Sequence, residues 1–117
     1  MRHTVLIVDD HPTFRKFARR LLEEEGFVVV GEAPDGARAI DAARELRPHV
    51  VVLDVLLPDR SGLEVAAELA RSHDPPTVVL TSSRSAGDLG AALSDAPARG
   101  FIPKESFTGG SLRELLA

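Results

Sequence analysis

A chain of 117 residues, 44% apolar and 27% charged, has the length and composition of one globular domain that can bury a core without staples. The absence of cysteine excludes a disulfide framework, a thiolate metal site and a cysteine nucleophile, and a net charge of −4 argues against direct nucleic-acid binding by this domain. Neither a signal-peptide pattern nor a long apolar span is present, so the expectation is a cytoplasmic protein without membrane contact.

Strands and helix-length segments alternate five times along the chain. The first strand is expected over 4–8 and a helix over 13–25, where Phe14, Phe17, Ala18, Leu21 and Leu22 recur at helical spacing and mark a core face. Gly26 ends that helix, and a second strand follows over 27–31. Asp35-Gly36 turns into a helix that Pro48 stops near Arg47. The third strand is 50–53. After a loop over 58–62, Ser61 with Glu64 three residues later reads as a capping box for a helix reaching about Ser72. Pro75-Pro76 precedes a fourth strand over 77–80. The segment 85–96 is a weak helix because Gly87 and Gly90 each cost about 1 kcal/mol relative to Ala in a helix interior. A fifth strand over 99–103 and a short helix over 111–117, after Gly109-Gly110, complete the chain. Such alternation predicts βαβ units with right-handed crossovers, a three-layer α/β sandwich around a parallel sheet.

Four of the apolar runs end in chemistry. Asp9-Asp10 follows the first strand, Asp54 the third, Thr81 the fourth and Lys104 the fifth. In an open parallel sheet, ligands bind at the carboxyl ends of the strands, so these groups are expected at one edge. Three carboxylates in close quarters raise one another's pKa unless a cation joins them, and Mg²⁺ favours a few carboxylates with water and phosphate oxygens. A carboxylate can also act as a nucleophile and form an aspartyl phosphate. Of 14 basic residues only Lys16 and Lys104 are lysines, so Lys104 is not one of a scattered surface population. It and the Thr81 hydroxyl can neutralise or hydrogen-bond a transferring phosphoryl group.

Asp9-Asp10, the run Asp54-Val55-Leu56-Leu57-Pro58-Asp59-Arg60-Ser61-Gly62, Thr81, and Gly100-Phe101-Ile102-Pro103-Lys104 together resemble the receiver domain of bacterial two-component response regulators. The resemblance covers essentially the whole chain, 1–117. It implies a flavodoxin-like (βα)5 fold with strand order 2-1-3-4-5. It also implies that Asp54 is the phosphoacceptor, that Asp9, Asp10, Asp54 and the Leu56 backbone carbonyl hold Mg²⁺, and that Lys104 pairs with the carboxylate or the phosphoryl group. Thr81 and Phe101 would be the switch pair, with Pro58 and Gly62 shaping the loop after the acceptor. The implied partners are a sensor histidine kinase and either an output domain or a separate protein, with a homodimer on phosphorylation as a further possibility. The stretch Leu6-Ile7-Val8-Asp9-Asp10-His11-Pro12 is similar to receivers joined to LuxR-type helix-turn-helix domains. Ser82 stands where the family usually has Ala or Gly, the stretch from Thr81 to Lys104 is one residue longer than usual, and Glu105 stands where many members have proline. The chain ends at Ala117 without a helix-turn-helix pattern, which leaves a free-standing receiver and a piece of a transcription factor both open.

Simpler readings exist for each residue. Asp9-Asp10 can cap a helix, Asp54 can be a turn residue, and Phe101 is as readily a core aromatic. His3, His11, His49 and His73 lack metal-ligand spacing and read as surface or loop residues, His11 being a minor candidate for tuning the site. Arg19-Arg20 with Glu23 to Glu25 reads as a solvated helix face. Three other functions compete. A phosphorylation-independent docking module would keep the fold alone. A haloacid-dehalogenase-type phosphatase would need a second carboxylate two residues after its nucleophile, where this chain has Leu56. A nucleotide-binding module would need a glycine-rich loop after the first strand, and none is present.

Overall fold

The computed structural model describes residues 3–83 and 90–117. In chain order the elements are β1 (Thr4–Val8), α1 (Pro12–Glu24), β2 (Val28–Ala33), α2 (Gly36–Leu46), β3 (Val50–Asp54), α3 (Gly62–Ala70), β4 (Thr77–Ser82), α4 (Ala91–Asp95), β5 (Gly100–Pro103), a 3-10 turn (Lys104–Ser106) and α5 (Gly109–Leu116). All strand pairs are parallel and the order is β2-β1-β3-β4-β5, as expected. Of the helix expected over 85–96, residues 84–89 lie outside the described residues, and Ala91–Asp95 is helical.

The central strands are apolar on both faces because both faces are covered. Alternate residues separate into two layers. Val5, Ile7, Val50, Val52, Val79 and Ile102 pack with Ala18 and Leu22 of α1 and Leu112 of α5. Leu6, Val8, Val51, Leu53, Val78 and Leu80 pack with Ile40 of α2 and Val65 and Leu69 of α3. Fully burying one such Val or Leu contributes roughly 1.5–3 kcal/mol, so the two layers fix the register of each strand.

Several boundaries differ from expectation for identifiable reasons. Strand β2 continues past Gly31 to Ala33, because a bulge at Val30 shifts its register against β1: Val5 pairs with Val29 and Leu6 with Gly31. At Gly31 a Cβ would come within 2.7 Å of Leu46 Cδ1, the end of an exposed side chain that would have to shift. Helix α5 begins at Gly109 rather than after the glycines. Thr108 caps it through a reciprocal box with Ser111, and a Cβ on Gly109 would lie 2.8 Å from the Leu21 carbonyl. Ser61 caps α3 through the Leu63 N–H, while Glu64 pairs with Arg60 at 3.8 Å instead of closing the expected box. Phe17 is 49% exposed and not core. The buried stripe of α1 runs through Ala18 and Leu22, which leaves Phe14 half-buried and turns Phe17, three residues on, toward solvent. The charged face of α1 is also less solvated than expected, since Arg19 Nε meets Glu32 Oε2 of β2 at 2.8 Å.

The loop from Val55 to Gly62 positions the site. The Val55 N–H donates to the Thr81 carbonyl and the Gly62 N–H to the Val55 carbonyl, so the chain folds back directly behind Asp54. A Cβ on Gly62 would stand 2.0 Å from the Asp54 carbonyl oxygen, a contact that rigid backbone cannot accommodate. Gly62→Ala is therefore expected to destabilise the domain at or beyond the roughly 1–3 kcal/mol typical of overpacking. A urea denaturation midpoint within error of the wild type would contradict this account of the loop.

Candidate phosphoacceptor site

Sheet parity assembles the site. Ile7, Val52, Val79 and Ile102 all point into the layer under α1 and α5. Two residues further along each chain path stand Asp9, Asp54, Thr81 and Lys104. In the register of the sheet Asp54 lies opposite Thr81, and Pro103, just before Lys104, lies opposite Ser82. The polar groups thus continue one apolar layer at its carboxyl edge.

The lysine is the centre of this group. Lys104 Nζ lies 2.6 Å from Asp9 Oδ2 and 3.1 Å from Asp54 Oδ2. Asp9 is wholly buried and Asp54 nearly so. The other Asp54 oxygen, Oδ1, accepts from the Leu56 N–H at 3.1 Å, and the other Asp9 oxygen accepts from the His11 N–H at 2.9 Å. The Phe14 ring centroid lies 4.8 Å from Lys104 Nζ, a cation–π distance, and Phe107 meets Phe14 edge-on. Thr81 Oγ1 is buried and has no hydrogen-bond partner among the described residues. Phe101 is half-buried and packs toward the layer under α2 and α3, opposite Leu80 in the register.

Burial pushes the Asp54 carboxyl above the ordinary carboxylate value; the Leu56 N–H and Lys104 pull it back, and Asp9 pushes it further up. Burial alone would lower the Lys104 ammonium, but its contacts with Asp9 and Asp54 hold it above the ordinary lysine value. Asp59 moves the other way. The Gly36 N–H chiefly, with the Ala37 N–H, holds its carboxyl below the usual range. Asp59, exposed on the acceptor loop, thereby caps the N-terminus of α2 from across the fold.

Asp10 is exposed, and its Oδ1 lies 3.1 Å from His11 Nδ1, which also sits 3.0 Å from Asp9 Oδ1. Ligand atoms of Asp9, Asp10, His11 and Asp54 all fall within 4.8 Å of one another. The surface reading of His11 holds, but its ring sits among the acidic groups, which spacing alone did not reveal: residue 11 turns the chain into α1 just as the acidic pair leaves β1. The donor set suits a hard cation. Oxygens on opposite sides of a Mg²⁺ shell stand about 4.2 Å apart at bond lengths near 2.1 Å, comparable to the spread observed. Two acidic side chains share a single ammonium in a buried setting, so further positive charge is electrostatically favoured.

The chain matches the model of the response regulator receiver domain family over residues 5–117. This protein belongs to that family. It is 38% identical over 112 residues to a putative transcriptional regulator of Pseudomonas aeruginosa, covering 96% of this chain and 52% of that protein. It is 43% identical over 104 residues to the nitrate/nitrite response regulator protein NarP of Escherichia coli, covering 87% and 48%. The solved signal receiver domain of the putative response regulator NarL from Mycobacterium tuberculosis superposes with a TM-score of 0.88 at 34% identity, covering 98% of this chain and 94% of that one. The receiver thus spans about half the length of the relatives named. Its fold and family dispose of the nucleotide-binding alternative, and the half-exposed aliphatic Leu56 stands where a dehalogenase-type phosphatase would need its second carboxylate. No described helix is long and apolar enough to cross a membrane.

A thermodynamic consequence follows from the raised Asp54 carboxyl. Its unfolded value is near 3.8 and its folded value higher, so the folded state disfavours ionised Asp54 and gains proton affinity relative to the unfolded chain. Asp54→Asn is expected to melt a few degrees above the wild type at pH 7 in metal-free buffer. The gap should close as pH falls through the folded pKa toward 3.8. Calorimetry showing the variant less stable at pH 7 would reverse the assigned balance between burial and the lysine contact.

Proposed function

We propose that this receiver is a phosphorylation switch in which Asp54 accepts a phosphoryl group from a sensor histidine kinase. The observation that carries the reading is the convergence of buried Asp54 and Asp9 on one lysine, beside a buried threonine hydroxyl with no partner among the described residues. In the transfer an Asp54 carboxylate oxygen attacks phosphorus, the bond from phosphorus to the donor imidazole nitrogen breaks, and that imidazole departs with the electron pair. Asp9, Asp10, Asp54 and the Leu56 carbonyl would hold Mg²⁺, which when bound supplies neutralising charge for the transferring oxygens.

The chain's own residues do the rest. Lys104 already faces the Asp54 oxygen and is positioned to follow the charge as it passes to the phosphoryl group. The Leu56 N–H orients the carboxylate from the loop side. Thr81 then donates its free hydroxyl to a phosphoryl oxygen, and Phe101, opposite Leu80 on the neighbouring strand, changes its rotamer in response. Phosphorylation thereby biases a two-state equilibrium. Its readout is an attached output domain, a protein partner, or a second copy of the chain. As in the relatives named as transcriptional regulators, that output would be control of transcription. The domain acts on itself and is not a turnover enzyme, and the reading places it in the cytoplasm.

Intact mass after incubation with Mg²⁺ and acetyl phosphate tests this. The wild type is expected to gain one phosphoryl group and Asp54→Asn none. A wild type that neither gains mass nor binds Mg²⁺ would instead be a docking module that kept only the fold.

Leu56, 50% exposed immediately beyond the acceptor, bears on how long the signal lasts. Hydrolysis of an acyl phosphate needs an oriented water, and an aliphatic side chain offers water no hydrogen bond. Together with Ser83, which is exposed just beyond β4, it would flank the approach to the phosphoryl group. The phosphorylated wild type is expected to decay several-fold more slowly than Leu56→Asn when both are followed by loss of phosphoprotein mass. Equal or faster decay of the wild type would overturn that role for Leu56.

A further inference from the structure

We propose that Arg15 is a positioning residue that sets the Asp9–Asp10 pair for cation binding from behind. This inference rests on the reading above that the pair holds a divalent cation. Asp9 is the residue just beyond β1, and besides Lys104 and the His11 ring three contacts fix it. Its N–H donates to the Ala33 carbonyl at 3.0 Å. Its side chain accepts from the His11 N–H. Its carbonyl accepts from Arg15 Nη1 at 2.6 Å. That last bond grips the peptide plane joining Asp9 to Asp10, and so fixes where both carboxylates leave the backbone.

The guanidinium is itself anchored. Arg15 Nε meets Glu32 Oε1 at 3.0 Å, and the other Glu32 oxygen is taken by Arg19 Nε at 2.8 Å. Arg15 and Arg19 are one helical turn apart and so share a face of α1, while Glu32 comes from β2. The Arg15 side chain is only 17% exposed. Two donors of one planar fork thus bind one carboxylate and one carbonyl at once, a geometry that lysine cannot reproduce. Groups of this kind behind metal ligands typically change affinity about 10–100-fold when removed.

Electrostatics makes the proposal sharp, because a pure charge effect has the opposite sign. Arg15 places a positive charge close to the acidic group, so deleting it should tighten cation binding if only the field mattered. Positioning predicts the reverse. Titration calorimetry of Mg²⁺ into the folded, unphosphorylated protein is expected to show at least about tenfold weaker binding for Arg15→Gln. Phosphorylation from acetyl phosphate should recover toward the wild-type rate at saturating Mg²⁺. Arg15→Lys, which keeps the charge and stem but not the fork, is expected to weaken Mg²⁺ binding as well, and serves alone if Arg15→Gln fails to fold. Unchanged or tighter binding in these variants, with the wild type binding Mg²⁺, would overturn the role of Arg15. A wild type that binds no Mg²⁺ would overturn the cation reading, and this inference with it.

Discussion

One lysine resolves the conflict on which the rest of this domain depends. Asp9 and Asp54 are buried side by side at the end of the sheet, an arrangement that costs free energy unless positive charge lies between them. Lys104 supplies that charge from just beyond the end of β5. Its own geometry is set by Phe14 on one side and by the 3-10 turn that begins at residue 104 on the other. The acidic pair is thus kept in a state where one cation is present and a second is still favoured. Lys104 alone therefore leaves the two buried carboxylates with excess negative charge, and the Thr81 hydroxyl beside them has no partner among the described residues.

The loop behind Asp54 links this chemistry to the helices. Gly62 lets the chain pass against the acceptor backbone, and Asp59 reaches across to cap α2. Arg60 of the same loop covers Gly36 with its methylenes and pairs with Glu68 of α3 at 3.1 Å. The short loop behind Asp54 thus contacts both α2 and α3.

Much of this was legible in the amino-acid sequence because each functional residue ends an apolar run, and run length and alternation fix both the strand and the face. Asp54, Thr81 and Lys104 could be assigned to one edge before any coordinate was known. What escaped the sequence were contacts made by charge or by small size across long separations. Arg15 and Glu32 are ordinary charged residues until β2 is extended by a bulge that sequence periodicity does not announce. The close approach of Leu46 to Gly31 and of the Leu21 carbonyl to Gly109 depends on neighbours far along the chain. Phe17 misled because helical spacing marks a stripe without saying where its edge falls. The structure put that edge between Ala18 and Phe17.

The parity of the sheet has a consequence for how this site tolerates change. Asp9, Asp54, Thr81 and Lys104 come from four strands separated by crossovers, and nothing in their meeting depends on how many residues those crossovers contain. An added residue inside β3 or β4 is a different matter. It would exchange one apolar layer for the other at almost no loss of hydrophobicity, yet send Asp54 or Thr81 to the opposite side of the sheet. An insertion in a loop thus leaves every site residue on its own side of the sheet, while one inside β3 or β4 does not.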